Sequence, residues 1–202
     1  MRFFCVLLGY LFGCFLTAEI VAHHKTGKRV FNIGSRNPGM ANIALSLGKK
    51  SAAVTLLGDI LKTALPCLLC RFVLFPSLGR VAVLYAGVGA ALGHGFPFWH
   101  KFRGGRGVAV TCSYLILFSP LWGCIAELMG LGAVLLTGYL TIGALCIPFL
   151  FLPPAFLFYG SEAGLVSTAG AALMFILNFD SLKKMRNKEE KKVDLVGRFK
   201  KC

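Results

Sequence analysis

Residues 107–179 read GVAVTCSYLILFSPLWGCIAELMGLGAVLLTGYLTIGALCIPFLFLPPAFLFYGSEAGLVSTAGAALMFILNF, and the number of times this run crosses a bilayer decides the fold. It is apolar throughout, with breaks at Ser119-Pro120, Gly138-Tyr139 and Pro153-Pro154. Cationic blocks flank it, with Lys101, Arg103 and Arg106 before it and a run from Lys183 to Lys201 after it. Lys and Arg mark the cytoplasmic ends of membrane segments, so an even number of spans lies between the two blocks. Two spans would each be about twice the length that crosses roughly 30 Å of hydrocarbon, whereas four have roughly 18 residues apiece. The three breaks fall where four spans need their turns.

The rest of the chain fits this solvent. With 202 residues, 56% of them hydrophobic, and a mean hydropathy of +0.73, it is too apolar to bury its surface as a soluble domain. The net charge of +14 sits in short blocks beside apolar runs, which is a topological pattern and speaks against a nucleic-acid partner. Phe3–Ala22 has the length of one crossing and reads as a retained first span rather than a cleaved leader. Ser51–Phe75 and Val81–Phe98 are the next two. The fold class is therefore an all-α polytopic membrane protein. Its bundle has seven transmembrane helices, with short, half-length spans in the C-terminal half, the N-terminus outside and the C-terminus cytoplasmic. Residues 1–180 form the membrane domain and 181–202 a basic cytoplasmic tail near anionic lipid. The eight cysteines lie mostly in apolar stretches as small hydrophobes, and the Cys67–Cys70 pair has no second pair to complete a metal site. Neither a metal nor a cofactor is expected.

Three polar elements should meet on the cytoplasmic side. The first is Gly34-Ser35-Arg36-Asn37-Pro38-Gly39-Met40-Ala41-Asn42, which offers a hydroxyl, amides, a guanidinium and a flexible backbone. Such groups bind phosphate and polyol hydroxyls, although Ser, Asn and Gly also build ordinary capped turns. The second is the stretch from Gly93 to Val108, with His94, Lys101, Arg103, Gly104, Gly105, Arg106 and Gly107. Its glycines let the backbone approach an anion, and its arginines add bidentate hydrogen bonds. The third is the turn at Tyr139-Leu140-Thr141. Asp59 and Lys62 stand at i and i+3 inside a membrane helix, where they can pair, and Lys62 can also reach a substrate phosphate. The candidates for catalysis are His94 and Ser35. No nucleophile elbow or metal cluster accompanies them, so the loops suit positioning and electrostatic stabilisation of two substrates.

These motifs resemble the acyl-phosphate:glycerol-3-phosphate acyltransferases, the PlsY family of bacterial inner-membrane enzymes. Tyr10-Leu11-Phe12-Gly13 is similar to the family's first-helix Tyr-Leu-x-Gly, and residues 34–42 to its Gly-Ser-Gly-Asn-Pro-Gly-Ala-Thr-Asn loop. Asp59 to Lys62 resembles its Asp-x-x-Lys helix, and Gly93–Val108 its glycine-rich loop, with Arg103 and Arg106 in place of lysines. The resemblance implies seven spans and transfer of an acyl group from acyl-phosphate to the 1-hydroxyl of glycerol 3-phosphate, giving lysophosphatidic acid in the first step of phospholipid synthesis. It implies that Ser35, Asn37 and Asn42 line the site. Lys101, Arg103 and Arg106 would hold phosphate with the glycine backbone, and acyl chains would lie between helices open to membrane lipids. A monomer in the inner membrane is expected. The chain has Arg29-Val30-Phe31 for the family's Asp-Ile-Arg, Leu45 for an Arg, and Thr141 and Ala144 for serines. Asn178-Phe179-Asp180-Ser181-Leu182 stands where the family has His-Arg-x-Asn-Ile. A second function therefore stays open, a non-catalytic homologue that binds lipid or acyl-phosphate and regulates a partner.

Overall fold

In the computed structural model, which describes residues 1–190 and 192, every regular element among the described residues is helical. The chain divides into two compact units, Met1–Phe118 and Ser119–Cys202.

The first unit holds α1 (Arg2–Gly13), α2 (Thr17–Thr26), α3 (Met40–Leu47), α4 (Lys49–Leu69), α5 (Val81–Gly95) and α6 (Val108–Phe118). The first crossing is not one continuous helix. The chain leaves helical geometry between α1 and α2, where Leu16 is extended at φ −95° and ψ 95°. α4 is prolonged by a π-type turn at Cys70–Leu74. At the centre of the unit lies α5, which packs against α1, α4 and α6. Its sequence explains this: Ala82, Ala86, Gly87, Gly89, Ala90, Ala91 and Gly93 give it small residues on every side, so neighbouring backbones approach closely. The α1–α5 seam is reciprocal. A Cβ on Gly9 or Gly13 would overlap the carbonyls of Ala86 or Ala90, and one on Gly89 or Gly93 those of Val6 or Tyr10.

The second unit holds α7 (Pro120–Thr137) and α8 (Leu140–Arg186). α7 opens with Pro120 as its first residue, where the missing N–H costs nothing, and ends at Gly138 in the left-handed conformation, φ 78°. Gly130 and Gly143 bring α7 and α8 together, with Ile147 and Val134 packed over them. α8 breaks at Gly160, where φ 85° and ψ 174° interrupt the helix. The expected break at Pro153-Pro154 is thus displaced. Both prolines lie inside the helix, because a buried membrane helix can lose a backbone bond to proline without unwinding, whereas Gly160 takes a conformation that a side chain disfavours.

Counting α1–α2 once and the arms of α8 twice, with α4, α5, α6 and α7, gives the seven apolar segments expected. Among the described residues, five helical stretches are long and apolar enough to cross a bilayer, the last being the whole of α8. α6, with 11 residues, is a half-length segment, rising only about 17 Å. The other expected spans of the C-terminal half reach ordinary length. α8 runs through position 180 to Arg186, so the expected tail begins as helix, and its residues 191 and 193–202 lie outside the described residues.

The glycine seam sets a stability test. Gly89→Val should destabilise the detergent-solubilised protein by about 1–3 kcal/mol through overpacking. Gly132→Ala, where nothing lies within 4 Å of the added Cβ, should be neutral or stabilising by up to about 1 kcal/mol. Equilibrium unfolding of the two variants checks the contrast.

Candidate functional site

The site of the first unit begins with a charge inside a membrane helix. Asp59 and Lys62 lie one turn apart on α4, and the Lys62 ammonium sits 2.8 Å from Asp59 Oδ1. It also donates to the Phe15 carbonyl at 2.7 Å and lies 2.8 Å from His94 Nδ1 on α5. Three protein groups thus face an ammonium that has three protons. Asp59, Lys62 and His94 are 2%, 7% and 3% exposed, so bulk water cannot substitute for any of these partners. Asp59 Oδ1 further accepts from the Thr17 hydroxyl at 3.4 Å, a close approach permitted because Gly58 leaves room for Thr17. The gap between α1 and α2 is part of the same construction. It frees the carbonyls of Cys14 and Phe15 from helix bonding, and Trp99 Nε1 and Lys62 supply the donors, Trp99 at 2.9 Å.

The glycine-rich loop folds back over the end of α5. Gly105 N–H donates to the His94 carbonyl at 2.9 Å. A Cβ on Gly104 would overlap the carbonyls of His94 and Gly95, and one on Gly105 would overlap His94 Nε2. The same Cβ would lie 3.0 Å from the Pro38 carbonyl, so the first polar loop meets the second at this point. Lys101 and Phe102 adopt the left-handed conformation, φ 54° and 57°, which is strained for residues with side chains. The turn then leads through Gly107, φ 75°, into α6, whose first amides have no intrahelical acceptor. Lys101 and Arg103 are exposed beside it, and Arg106 is half-buried.

Asn42 clasps the first loop. Its Oδ1 accepts from Ser35 N–H at 2.8 Å and the Ser46 hydroxyl at 3.4 Å, and its Nδ2 donates to the Ile33 and Asn37 carbonyls at 3.0 Å each. Gly34 and Arg36 hold positive φ of 53° and 62° within that clasp. Ser35 and Arg36 are exposed, and Asn37 and Gly39 are half-buried.

The structure therefore brings together Asn37–Gly39, His94 and Gly104–Gly107, with Ser35, Arg36, Lys101 and Arg103 open around them. Two residues expected to touch substrate have other work. Lys62 is engaged by the Phe15 carbonyl, Asp59 and His94, and Asn42, 3% exposed, holds the loop. Thr141 belongs to the second unit, where its hydroxyl donates to Glu190 at 2.7 Å. One cluster escaped the sequence reading. Glu19 on α2 accepts from Arg29 Nε at 3.1 Å and Val30 N–H at 2.6 Å, and Arg29 reaches His100 Nδ1 at 3.2 Å. This ties the first polar loop to the second from the other side. The available signal was Glu19 itself, the one acid in the first span, which needed a partner.

The clasp can be tested without a ligand. Asn42→Ala takes the partner from the Ser35 amide and from two carbonyls of half-buried residues, at about 0.5–1.5 kcal/mol each. Exchange of the Ser35 amide hydrogen should accelerate at least about tenfold while the helix content by circular dichroism is unchanged. Unchanged exchange would show that Asn42 does not hold the loop.

Comparison with known proteins extends over nearly the whole chain. A family model described as glycerol-3-phosphate acyltransferase matches residues 3–188. Glycerol-3-phosphate acyltransferase 1 of Lactobacillus johnsonii is 34% identical over 200 residues, 99% of this chain and 96% of that protein. A glycerol-3-phosphate acyltransferase of Pseudomonas putida is 39% identical over 142 residues, 70% of this chain and 71% of the relative. The crystal structure of PlsY, an integral membrane glycerol 3-phosphate acyltransferase, in its glycerol 3-phosphate form is similar with a TM-score of 0.86 at 24% identity, covering 98% of each chain. Its lysophosphatidic acid form is similar with a TM-score of 0.81, covering 95% of this chain and 94% of that one. At that identity the likeness carries the fold, an integral membrane bundle, and the matched sequence carries the kinship. The chain belongs to the glycerol-3-phosphate acyltransferase family.

Proposed function

We propose that the chain transfers an acyl group from acyl-phosphate to the 1-hydroxyl of glycerol 3-phosphate, forming lysophosphatidic acid and phosphate. The observation that carries this reading is the family match over residues 3–188, which includes both polar loops and the α4 and α5 positions behind them. The bond between the acyl carbon and the bridging phosphate oxygen breaks as one to the 1-oxygen of glycerol 3-phosphate forms. The proton lost by the hydroxyl is balanced by the departing phosphate, which becomes hydrogen phosphate.

The protein's part is positioning and charge stabilisation. Lys101, Arg103 and Arg106 would bind phosphate oxygens with the Gly104–Gly107 backbone and the first amides of α6. Ser35, Arg36, Asn37 and Gly39 would face the polyol and the second phosphate from the opposing loop. Asn42 holds that loop in place, and acyl chains enter from the membrane lipids. The protein would act as a monomer in the bacterial inner membrane, with the N-terminus outside and both loops cytoplasmic. Residues 1–180 would be its membrane domain and 181–202 a cytoplasmic tail.

Purified protein in nanodiscs, given palmitoyl-phosphate and glycerol 3-phosphate, should form lysophosphatidic acid. Loss of one charge-assisted phosphate contact costs about 1.5–3 kcal/mol, so Arg103→Ala should lower kcat/KM by roughly 10- to 100-fold, mainly through KM for glycerol 3-phosphate. Gly105→Ala should abolish turnover, because the added methyl displaces the His94 ring. Substrate binding without product would instead favour the non-catalytic homologue, for which the replacement of the family's terminal His and Asn by Asn178 and Ser181 is the motive.

A further inference from the structure

His94 has two ring nitrogens with different surroundings. Nδ1 faces Lys62 Nζ at 2.8 Å, while Nε2 is directed at the Gly104–Gly105 turn, where only glycine leaves room for it. The proton count on Lys62 decides which nitrogen carries hydrogen. An ammonium has three donors and no acceptor, and its three partners are the Phe15 carbonyl, Asp59 Oδ1 and His94 Nδ1. His94 Nδ1 must then be the acceptor, and the neutral imidazole carries its proton on Nε2.

Two other protonation patterns fail on charge. A neutral Lys62 amine accepting from His94 Nδ1–H would leave the Asp59 carboxylate, 2% exposed inside a membrane helix, without a cation. An imidazolium would set two cations 2.8 Å apart with no lone pair between them. Asp59 cannot take over Nδ1 from Lys62, since its Oδ1 lies 3.9 Å from that nitrogen, beyond hydrogen-bond reach. Carboxylate, ammonium and neutral imidazole together sum to zero charge.

We infer that Asp59 and Lys62 fix His94 in the Nε2–H tautomer, so that His94 donates a hydrogen bond to the substrate phosphate seated in the Gly104–Gly107 turn and cannot serve as the base. With one nitrogen protonated and the other capped by an ammonium, the ring has no lone pair to receive the acceptor's hydroxyl proton. Asp59 and Lys62 are positioning residues that act through His94. The inference rests on the phosphate site proposed above, but the tautomer itself can be read without turnover.

The test uses the full-length protein in nanodiscs with histidine labelled by nitrogen-15, the His94 signals being identified by their absence in His94→Gln. In the ligand-free protein His94 should show one protonated nitrogen, Nε2, unchanged from pH 6 to pH 8. Saturating glycerol 3-phosphate, or inorganic phosphate in a parallel sample, should shift the Nε2–H resonance. Lys62→Met should abolish the preference between tautomers, and Asp59→Asn should weaken it if the lysine variant does not fold. In kinetics, His94→Gln, which keeps an amide donor, should raise KM for glycerol 3-phosphate about tenfold while the shape of the pH–rate profile is retained. An Nδ1–H tautomer or an imidazolium overturns the proposal, as does an Nε2–H resonance unmoved by either ligand. Loss of one limb of the pH profile in His94→Gln also overturns it, by making His94 the base. A failed acyltransferase assay with the tautomer intact would instead count against the proposed reaction.

Discussion

A lysine ammonium at the depth of a membrane helix is tolerable only when each of its protons has an acceptor. For Lys62 those acceptors come from three places: a carboxylate one turn earlier on α4, a ring nitrogen on α5, and a carbonyl exposed by the interruption between α1 and α2. Each part justifies another. The interruption would leave the Phe15 carbonyl unsatisfied in a dry interior without Lys62, and Lys62 would be an unpaired charge without Asp59. Breaking a buried pair of this kind typically costs about 3–5 kcal/mol, because the remaining charge stays buried. The helix packing of the first unit and the chemistry of its loops are therefore coupled through one nitrogen atom.

Close packing carries this order outward to the solvent-facing loops. Glycines at the α1–α5 seam bring the two backbones into contact, which holds Trp99 over the Cys14 carbonyl and the end of α5 beneath the glycine-rich turn. Gly104 and Gly105 then let that turn lie directly on His94. Two further clasps fix the opposing loop: the Asn42 amide, with donors and acceptor all engaged, and Glu19, which binds Arg29 and the Val30 amide. Left-handed backbone at Arg36, Lys101 and Phe102 costs roughly 1–2 kcal/mol per residue; the Asn42 clasp surrounds the first, and Phe102 N–H, donating to the Pro97 carbonyl at 3.0 Å, closes the turn that holds the other two.

The seven segments were legible because charge placement is a topological signal that survives without any knowledge of packing. The position of the last break was not. Pro153-Pro154 looks like a turn in any sequence, yet a lipid-embedded helix absorbs it, while Gly160 looks innocuous and bends the chain. Nothing in the apolar run from Phe12 to Leu16 announces that the first helix is interrupted, since the donor that satisfies the freed Phe15 carbonyl is a lysine 47 positions away. The Asp59–Lys62 pair could be read from its i,i+3 spacing. Its completion by His94 could not, because the partner lies 32 residues on and on another helix. Likewise, Asn42 reads as a substrate ligand by type, and only its four hydrogen bonds reveal it as a clasp.

Phosphate is proposed to bind where the two loops meet, over His94. The most direct measurement is an experimental structure of the protein soaked with glycerol 3-phosphate. A phosphate group is expected in the Gly104–Gly107 turn, with His94 Nε2 and Arg103 within hydrogen-bond distance and the Ser35–Gly39 loop facing the glycerol. Density for the ligand away from this turn, with the turn empty, would contradict it.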